Sequence, residues 1–357
     1  MNELINIVEP TLTNEAGHCF SLVSNIVNTE QKLDVVVWAD KNATVDFQSA
    51  TAKLKKHFCR KIRKIQSYFL YRQLLASKNK VLISTAGVID LALFALIAKE
   101  TIPPRKIYFY FHWINNESKK LVLLKKIAKK QPNLMILGTT PTALNVFKKA
   151  GFKHAEVAPY PVTKSKKRLS PSSAFLKVLF AGAARQDKGF SKVIDLIEYE
   201  AGKNSSIPFA IQISSEHYNK YDKKTQLDIA RLNNIHYKHL TIHKETLSEA
   251  SYANLFIGAI CIQAYDPIAF ADRVSGVTLD ALIAGSPILT SAGTWIAKIV
   301  ERFNAGIVLK STSAIEMHVA LKELINNYGA YSENAINASN VLKGENNATH
   351  LLSILSS

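Results

Sequence analysis

The chain has 357 residues, of which 47% are hydrophobic and 20% charged. This composition is close to the average of globular domains and excludes a disordered chain or a fibre, while the length suits about two domains. The formal net charge is +17 and comes from one half of the chain, because residues 1–170 hold 28 Lys and Arg against 11 Asp and Glu, whereas residues 171–357 hold 17 of each.

The length of the apolar stretches and the number of cysteines exclude further classes of protein. The longest apolar stretch, residues 88–98, includes Asp90 and falls well short of the roughly 20 residues that a membrane-spanning helix needs. No basic segment precedes a long apolar one at the N-terminus, so we expect no secretory signal. Cys19, Cys59 and Cys261 are far apart and odd in number, which predicts no disulfide framework and no zinc site. We expect a cytoplasmic protein, free or bound peripherally at the inner face of the cytoplasmic membrane.

Short runs rich in Val and Ile alternate with helical patterns along the whole chain. We predict strands at residues 4–8, 34–38, 81–84, 107–111, 134–137, 155–158, 177–180, 209–213, 240–242, 255–262, 287–289 and 306–308. Such alternation is typical of parallel sheets covered by helices. The sequence predicts an N-terminal domain over 1–165, a polar basic linker over 166–174 and a C-terminal domain over 175–340. The last residues, 341–357, are predicted as a helix that packs back on the N-terminal domain.

The excess positive charge lies mainly in two segments of the N-terminal half. Over residues 51–77, apolar side chains recur at spacings of three and four, which predicts one helix whose other sides are basic. Residues 119–130 repeat this pattern with pairs of lysines. Helices of this kind fit an anionic membrane surface, and equally a core-packed helix with a solvated basic face. We expect no nucleic-acid partner, since no recognised nucleic-acid-binding motif occurs. The apolar positions of the first segment are Leu54, Phe58, Ile62, Ile65 and Phe69.

A turn of small residues follows the predicted strand at 177–180. Residues 181–189 read AGAARQDKG. Gly182 lets the backbone approach a ligand, the start of the next helix offers unpaired N–H groups, and Arg185 and Lys188 add positive charge. This combination predicts a phosphate-binding site.

A second anion site is predicted about 90 residues further on, in the segment 272–287, which reads DRVSGVTLDALIAGSP. Ser275, Gly276 and Val277 open a helix there, and its first N–H groups attract anions. Asp280 follows about one turn later, where its carboxylate can accept hydrogen bonds from a sugar diol.

Together the two segments resemble the retaining glycosyltransferases of the GT-B fold, in the GT4-like group (glycosyl transferases group 1). That family has a phosphate loop G-R-x-x-x-E-K-G and a donor motif E-x7-E followed by A-x-A-x-G-x-P. Asp280 takes the position of the second acid and Asp272 that of the first, each one methylene shorter than Glu. Arg273 and Val274 replace the glycines that normally follow the first acid, and the loop's cation moves to Arg185.

The N-terminal half carries a weaker resemblance. A glycine at the first strand-to-helix turn, Gly17 followed by His18, is similar to the family's loop that faces the donor. His112 follows the predicted strand at 107–111, where related enzymes often carry a histidine that touches the transferred sugar. A purely structural role for either histidine is the alternative.

The resemblance implies an α/β protein of the GT-B fold, with two Rossmann-like doubly wound domains facing a central cleft. It implies a retaining, metal-independent glycosyltransferase that needs no cofactor and moves a sugar from a nucleoside diphosphate sugar to a glycan or lipid-linked acceptor in cell-surface polysaccharide or lipopolysaccharide assembly. The catalytic candidates are Arg185, Lys188, Asp272 and His112. The donor-binding candidates are Gly17, His18, Gly182, Ser275, Gly276, Val277 and Asp280.

Other functions stay open beside this one. They are a catalytically inactive partner subunit that binds a nucleotide sugar, a nucleic-acid-binding protein that uses the basic half, and an epimerase acting on a nucleotide sugar. The spacing of His236, His239 and His243 could suit a metal, but no carboxylates accompany them, so we expect no metal site.

Overall fold

The protein is described by a computed structural model that covers residues 4–15, 18–28, 34–47, 49–114, 118–161, 172, 174–213 and 220–356. The chain divides into two compact units, residues 1–164 with 345–357 and residues 165–344. Of the predicted linker over 166–174, only residues 172 and 174 are among those described. Each unit contains one parallel sheet flanked by helices.

The N-terminal unit has a seven-stranded parallel sheet in the order β3-β2-β1-β4-β5-β6-β7. Its strands are β1 (Leu4–Val8), β2 (Asp34–Asp40), β3 (Ala52–Phe58), β4 (Lys80–Ile83), β5 (Ile107–Phe111), β6 (Met135–Gly138) and β7 (His154–Val157). Its helices are α1 (His18–Val27), α2 (Arg63–Ala76), α3 (Val88–Ile97), α4 (Ser118–Lys130), α5 (Pro141–Ala150) and, from the C-terminus of the chain, α14 (Ala348–Ser356).

Both faces of this sheet are buried, as the alternation along β5 shows. Tyr108 and Tyr110 belong to the core that α1 and α14 cover, while Ile107, Phe109 and Phe111 belong to the core under α2, α3, α4 and α5. Successive side chains of a strand point to opposite faces, so a strand buried on both sides reads as a continuous apolar run. The N-terminal unit is therefore doubly wound.

The prediction of one helix over residues 51–77 is wrong. Residues 52–58 form β3, which pairs with β2 at the edge of the sheet, and α2 begins only at Arg63. The spacing of four between Leu54 and Phe58 is compatible with a strand as well as with a helix, and the lysines between them suit an edge strand, where charge discourages pairing with another chain. The buried residues of α2 are Ser67, Leu70, Tyr71 and Leu74.

The C-terminal unit has a six-stranded parallel sheet in the order β10-β9-β8-β11-β12-β13. Its strands are β8 (Lys177–Phe180), β9 (Phe209–Gln212), β10 (Leu240–His243), β11 (Ala259–Gln263), β12 (Ile288–Ser291) and β13 (Gly306–Leu309). Its helices are α6 (Phe190–Gly202), α7 (Lys223–Asn233), α8 (Glu249–Leu255), α9 (Pro267–Phe270), α10 (Gly276–Ile283), α11 (Trp295–Phe303), α12 (Ala314–Asn326) and α13 (Tyr328–Glu345).

The order of the strands reverses between β8 and β11, which lie side by side at the centre of this sheet. The chain leaves β8 toward β9 on one side and leaves β11 toward β12 on the other. Ligands of open parallel sheets bind at such a switch point, beyond the carboxyl ends of the two strands. The segments that follow β8 and β11 are the two that carry the predicted phosphate and donor motifs.

Two features concern the chain as a whole. In the part of the chain that the structure describes, no helix combines the length and the apolar character needed to cross a membrane. Cys19, Cys59 and Cys261, all of them among the described residues, take part in no disulfide bond.

Candidate functional site

The loop after β8 is shaped by two glycines with left-handed backbone angles. Gly182 has φ +92° and donates its N–H to Oε1 of Gln212 at 2.8 Å, and Gly189 has φ +72°. A Cβ on Gly189 would overlap the backbone of Ala264, with 2.7 Å to its carbonyl carbon. Only glycine fits there, and its absence of a side chain lets the loop lie directly on the chain that leaves β11.

Lys188 closes this loop with its ammonium beside Gly182. A Cβ on Gly182 would lie 2.9 Å from Nζ of Lys188 and 3.3 Å from Cγ2 of Val277, so the three residues meet at one point. Nζ also lies 5.6 Å from the centre of the Tyr265 ring. Burial first, and then the positive charges of Arg185 and Arg273, lower the pKa of Lys188 to about 8. An ammonium with few water contacts and like-charged neighbours favours an anionic ligand.

Asp187 holds two guanidinium groups at the same loop. Nε of Arg185 donates to Oδ1 of Asp187 at 2.8 Å, and its Nη2 pairs with Oδ2 of the same carboxylate. Nη1 of Arg273 lies 4.0 Å from Oδ2 of Asp187, and its guanidinium carbon is 5.0 Å from the centre of the Phe270 ring. Burial lowers the pKa of Arg273, as does the charge of Arg185. We call Arg185, Lys188 and Arg273 the cationic cluster.

Arg273 is a functional candidate that sequence reasoning missed. In the sequence, Arg273 stands out only because it replaces a glycine of the family motif. That departure was the available signal, because an arginine in place of a glycine next to a predicted phosphate loop adds a cation where the family has none.

The N-terminus of α10 is the second component of the site. Ser275 is its buried N-cap residue, and Gly276 is exposed, with nothing within 4 Å of the position that a Cβ would take. The N–H of Thr278 donates to the Ser275 carbonyl at 3.1 Å, whereas the N–H groups of Gly276 and Val277 come before any intrahelical acceptor. These two donors and the positive end of the helix dipole favour an anion at the same place as Lys188.

Asp280 lies one turn into α10 and faces Tyr252 of α8. The Tyr252 hydroxyl is 3.4 Å from Oδ2 of Asp280 and donates a long hydrogen bond to it. Burial raises the pKa of Asp280 to about 7, against the opposing effect of that hydrogen bond. Near neutral pH this carboxyl group is therefore poised between its protonated and its ionised form, and the ionised form accepts hydroxyl groups.

Asp272 is engaged with a different element. Its Oδ1 lies 3.0 Å from Nζ of Lys298 on α11, and the same ammonium is 3.3 Å from the Ala271 carbonyl oxygen. The structure thus gives the first acid of the predicted donor motif a lysine partner, whereas Gly182, Lys188 and Val277 are brought into direct contact.

The N-terminal unit contains the remaining candidates. His112 follows β5, and its Nε2 lies 2.9 Å from the Ser84 carbonyl oxygen; since a carbonyl only accepts, Nε2 carries the proton. Its ring packs edge-on to Tyr110 and Tyr160, with centroids 5.0 and 5.4 Å away. Gly17 lies outside the described residues, as does the side chain of His18, the first residue of α1.

A buried carboxylate joins His112 to the end of β1. Glu9 is fully buried, and its carboxylate accepts hydrogen bonds from the hydroxyl groups of Thr11, Ser84 and Thr85. Ser84 contacts both groups, because its hydroxyl donates to Glu9 at 2.8 Å while its carbonyl accepts from His112. The carboxyl edge of this sheet therefore holds the histidine ring in one orientation.

No metal-binding arrangement accompanies these residues: among the side chains that the structure describes, no group of three or more His, Cys, Asp and Glu could hold a metal ion.

Solved structures similar to the chain are glycosyltransferases and a sugar-phosphate synthase. HepE of Anabaena, solved in complex with UDP-glucose, has a TM-score of 0.70 and 13% identity, covering 99% of this chain and 98% of that one. Sucrose-phosphate synthase of Thermosynechococcus elongatus has a TM-score of 0.67 and 12% identity, and the match covers 99% of this chain and 96% of that one. WaaG, a glycosyltransferase involved in lipopolysaccharide biosynthesis, has a TM-score of 0.63 and 11% identity, and the match covers 94% of this chain and 95% of that one.

No protein-family model matches the sequence, and no curated protein sequence matches it either. The structural likeness covers nearly the whole chain and rests on the two parallel sheets, so it establishes the fold. The chain has the GT-B fold, with two Rossmann-like doubly wound units, and the predicted fold class is confirmed.

Proposed function

We propose that the chain is a retaining glycosyltransferase of the GT4-like kind, which takes the sugar of a nucleoside diphosphate sugar and transfers it to a glycan or lipid-linked acceptor. The observation that carries this proposal is the position of the Lys188 ammonium against Gly182 and Val277, at the N-terminus of α10. Two guanidinium groups lie around the same loop. The site thus offers a diphosphate three cations and two backbone donors.

The cationic cluster has a direct role in this reaction. When the bond between the anomeric carbon and the diphosphate breaks, negative charge grows on the leaving oxygen, and positive groups already in place stabilise that charge. Arg185, Lys188 and Arg273 would fill the role for which other sugar transferases use a metal ion, so we propose a metal-independent reaction without a cofactor.

In the proposed reaction the acceptor oxygen bonds to the anomeric carbon on the face that the diphosphate leaves. The acceptor's proton passes to the departing phosphate oxygen, and no protein side chain has to act as the general base. The ionised form of Asp280 would accept the two hydroxyl groups of the donor ribose. His112, Gly17 and His18 are proposed to contact the transferred sugar.

The named structural neighbours support the class of donor and of pathway. HepE was solved with UDP and with UDP-glucose, WaaG is a glycosyltransferase involved in lipopolysaccharide biosynthesis, and WaaB is a lipopolysaccharide outer core galactosyltransferase. These neighbours favour a nucleotide-sugar donor and an acceptor in cell-surface polysaccharide or lipopolysaccharide assembly for the present chain.

A second candidate function is a partner subunit that binds a nucleotide sugar without transferring it. The pairing of Asp272 with Lys298 favours it, because an acid held by a lysine is less available to the transferred sugar. The two candidates share the diphosphate site and differ in turnover.

Titration calorimetry with UDP, GDP, ADP and CMP sugars tests both candidates, with hydrolysis of the donor measured in the same samples. The variants are Lys188→Ala and, as the matched control, Lys203→Ala, which removes an exposed lysine at the end of α6 that stacks on Tyr199. The transferase proposal expects one diphosphate class to bind, slow hydrolysis, and loss of binding in Lys188→Ala only. Binding without hydrolysis or transfer would favour the partner subunit, and absence of nucleotide binding would refute the donor site.

A further inference from the structure

Helix α3 has an apolar outer face, which is unusual for a helix at the surface of a globular unit. Its sequence, VIDLALFALI, contains one charged residue, Asp90. Leu91, Phe94 and Ala95 face the core, whereas Ile89 and Leu96 are 53% and 69% exposed. Outward positions of a helix on a soluble domain are normally polar. The outer face of α3 is therefore apolar although the helix already buries a separate apolar face.

The charge of α3 is directed inward. Asp90 accepts a hydrogen bond from the Gly87 N–H at 2.8 Å and another from the Tyr71 hydroxyl at 2.7 Å, and burial raises its pKa. Its carboxyl group thus closes the first turn of the helix and ties it to α2. It adds little negative charge to the outer face.

The neighbouring helices extend the apolar surface. Helix α3 packs against α2 on one side and α4 on the other. On α2, Ile65 and Phe69 are exposed beside the buried residues Leu70 and Leu74. On α4, Val122 and Leu123 are exposed. We call these six side chains on three adjacent helices the apolar band, which consists of Ile65, Phe69, Ile89, Leu96, Val122 and Leu123.

Exposed cations lie on two of the three helices that carry the apolar band. Neither α2 nor α4 contains an Asp or Glu, and both carry exposed basic residues beside the band. These residues are Arg63, Lys64 and Arg72 on α2 and Lys125, Lys126, Lys129 and Lys130 on α4. Aliphatic and aromatic side chains with lysine and arginine around them are the surface that binds an anionic bilayer interface, because the apolar groups enter the acyl boundary while the cations meet the headgroups.

We propose that the outer face of α2, α3 and α4 docks on a lipid bilayer that carries anionic headgroups. Charge complementarity selects this occupant. A second copy of the chain would place cation against cation, and a nucleic acid would satisfy the cations but leave the aliphatic side chains of α3 in water. A bilayer satisfies both groups at once. This inference goes beyond the proposed donor site and does not depend on it.

Vesicle sedimentation of the full chain without nucleotide tests the proposal. The vesicles are phosphatidylcholine alone, or equal parts of phosphatidylcholine and phosphatidylglycerol. We expect binding to the anionic vesicles only, and weakening with added NaCl. Replacing two cations in Lys125→Gln/Lys129→Gln should reduce the partition coefficient about 30-fold, at roughly one tenfold step per 1.4 kcal/mol. Replacing two apolar groups in Ile89→Ser/Leu96→Ser should reduce it about tenfold or more.

Matched variants of the C-terminal unit serve as controls. Ile315→Ser/Val319→Ser removes two apolar side chains of α12 that are each 61% exposed, and Lys310→Gln/Lys322→Gln removes two exposed cations. Both controls should bind vesicles like the wild type. The proposal is overturned if the wild type binds no vesicle at low salt. It is also overturned if the control variants lose as much vesicle binding as the test variants, or if Ile89→Ser/Leu96→Ser leaves the partition coefficient unaltered. Because the α3 and α4 positions changed are exposed, circular dichroism should show wild-type folding for each variant.

Discussion

Replacing Gly182 with alanine separates the shape of the phosphate loop from the position of its lysine. The residue has φ +92°, and the new methyl group would lie 2.9 Å from Nζ of Lys188 and 3.3 Å from Cγ2 of Val277. A lysine end is flexible and can move aside at low cost. The methyl group therefore displaces the ammonium from the place at which we propose that the diphosphate binds.

Two energies can be assigned to this change. A left-handed backbone angle costs an alanine about 1–2 kcal/mol relative to glycine, which lowers the free energy of unfolding by that amount. Loss of one charge-assisted hydrogen bond to the diphosphate costs about 1.5–3 kcal/mol of binding. We therefore expect the nucleoside diphosphate that the wild type binds best to bind Gly182→Ala about 10- to 100-fold more weakly.

Gly151→Ala is the control for backbone strain. Gly151 caps α5 with φ +96°, and no atom lies within 4 Å of the position that its Cβ would take. Urea unfolding should show a similar loss of stability in both variants, while calorimetry should show weaker nucleotide binding only in Gly182→Ala. Wild-type affinity in Gly182→Ala would refute the assignment of the Lys188 ammonium to the diphosphate, and an equal loss in Gly151→Ala would mean that binding merely follows stability.

Three further outcomes follow from the same site. Affinity for a nucleotide sugar should change little between pH 7 and 8 and fall about tenfold per pH unit above pH 8 as Lys188 loses its proton, whereas Lys188→Arg should keep its affinity to pH 9; parallel titrations of both proteins above pH 7 check this, and identical profiles would contradict it. We propose that Asp280 binds ribose when ionised, so wild-type affinity should fall below pH 7 and Asp280→Asn should lack that fall, as calorimetry from pH 6 to 7.5 would show. Gly189→Ala forces a methyl group into the backbone of Ala264, and urea unfolding should reveal a loss of at least about 3 kcal/mol; a loss below 1 kcal/mol would mean that the loop is not held against β11.

Most strands were predictable because both sheets are buried on both faces. Strands β1, β5 and β8 begin and end at the predicted residues, since Val, Ile and aromatic runs bounded by polar residues leave little choice. Strand β3 was not predicted. It lies at the edge of the N-terminal sheet, and its lysine-rich sequence is compatible both with the two-residue period of a strand and with the 3.6-residue period of a helix. The predicted strand over 255–262 was too long for a different reason: Leu255 ends α8, and residues 256–258, which read FIG, form a turn that is as apolar as the strand after it.

The candidate site was predictable only where chemistry follows local spacing. Gly182 and Lys188 lie six residues apart in one loop, and the helix start at Gly276 is marked by its own sequence. The partners of the charged groups depend instead on tertiary packing. The pairing of Asp272 with Lys298 joins residues 26 positions apart, and the approach of Arg273 to Asp187 joins segments that leave two different strands. No local sequence pattern indicates either pairing.

The charges of the cationic cluster lead to one more consequence. Two guanidinium groups and an ammonium surround a single carboxylate, so the local net charge is about +2 when Lys188 is protonated. The pKa of Lys188 near 8 reflects burial first and this repulsion second. A diphosphate carries the matching negative charge, and its arrival should raise that pKa. Binding at pH 8 should therefore take up about half a proton. Calorimetry of one nucleotide sugar in two buffers of different ionisation enthalpy measures the uptake: Lys188→Arg, which stays charged at pH 8 and should keep its affinity, should abolish the uptake, and an uptake that persists in this variant would place the titrating group elsewhere.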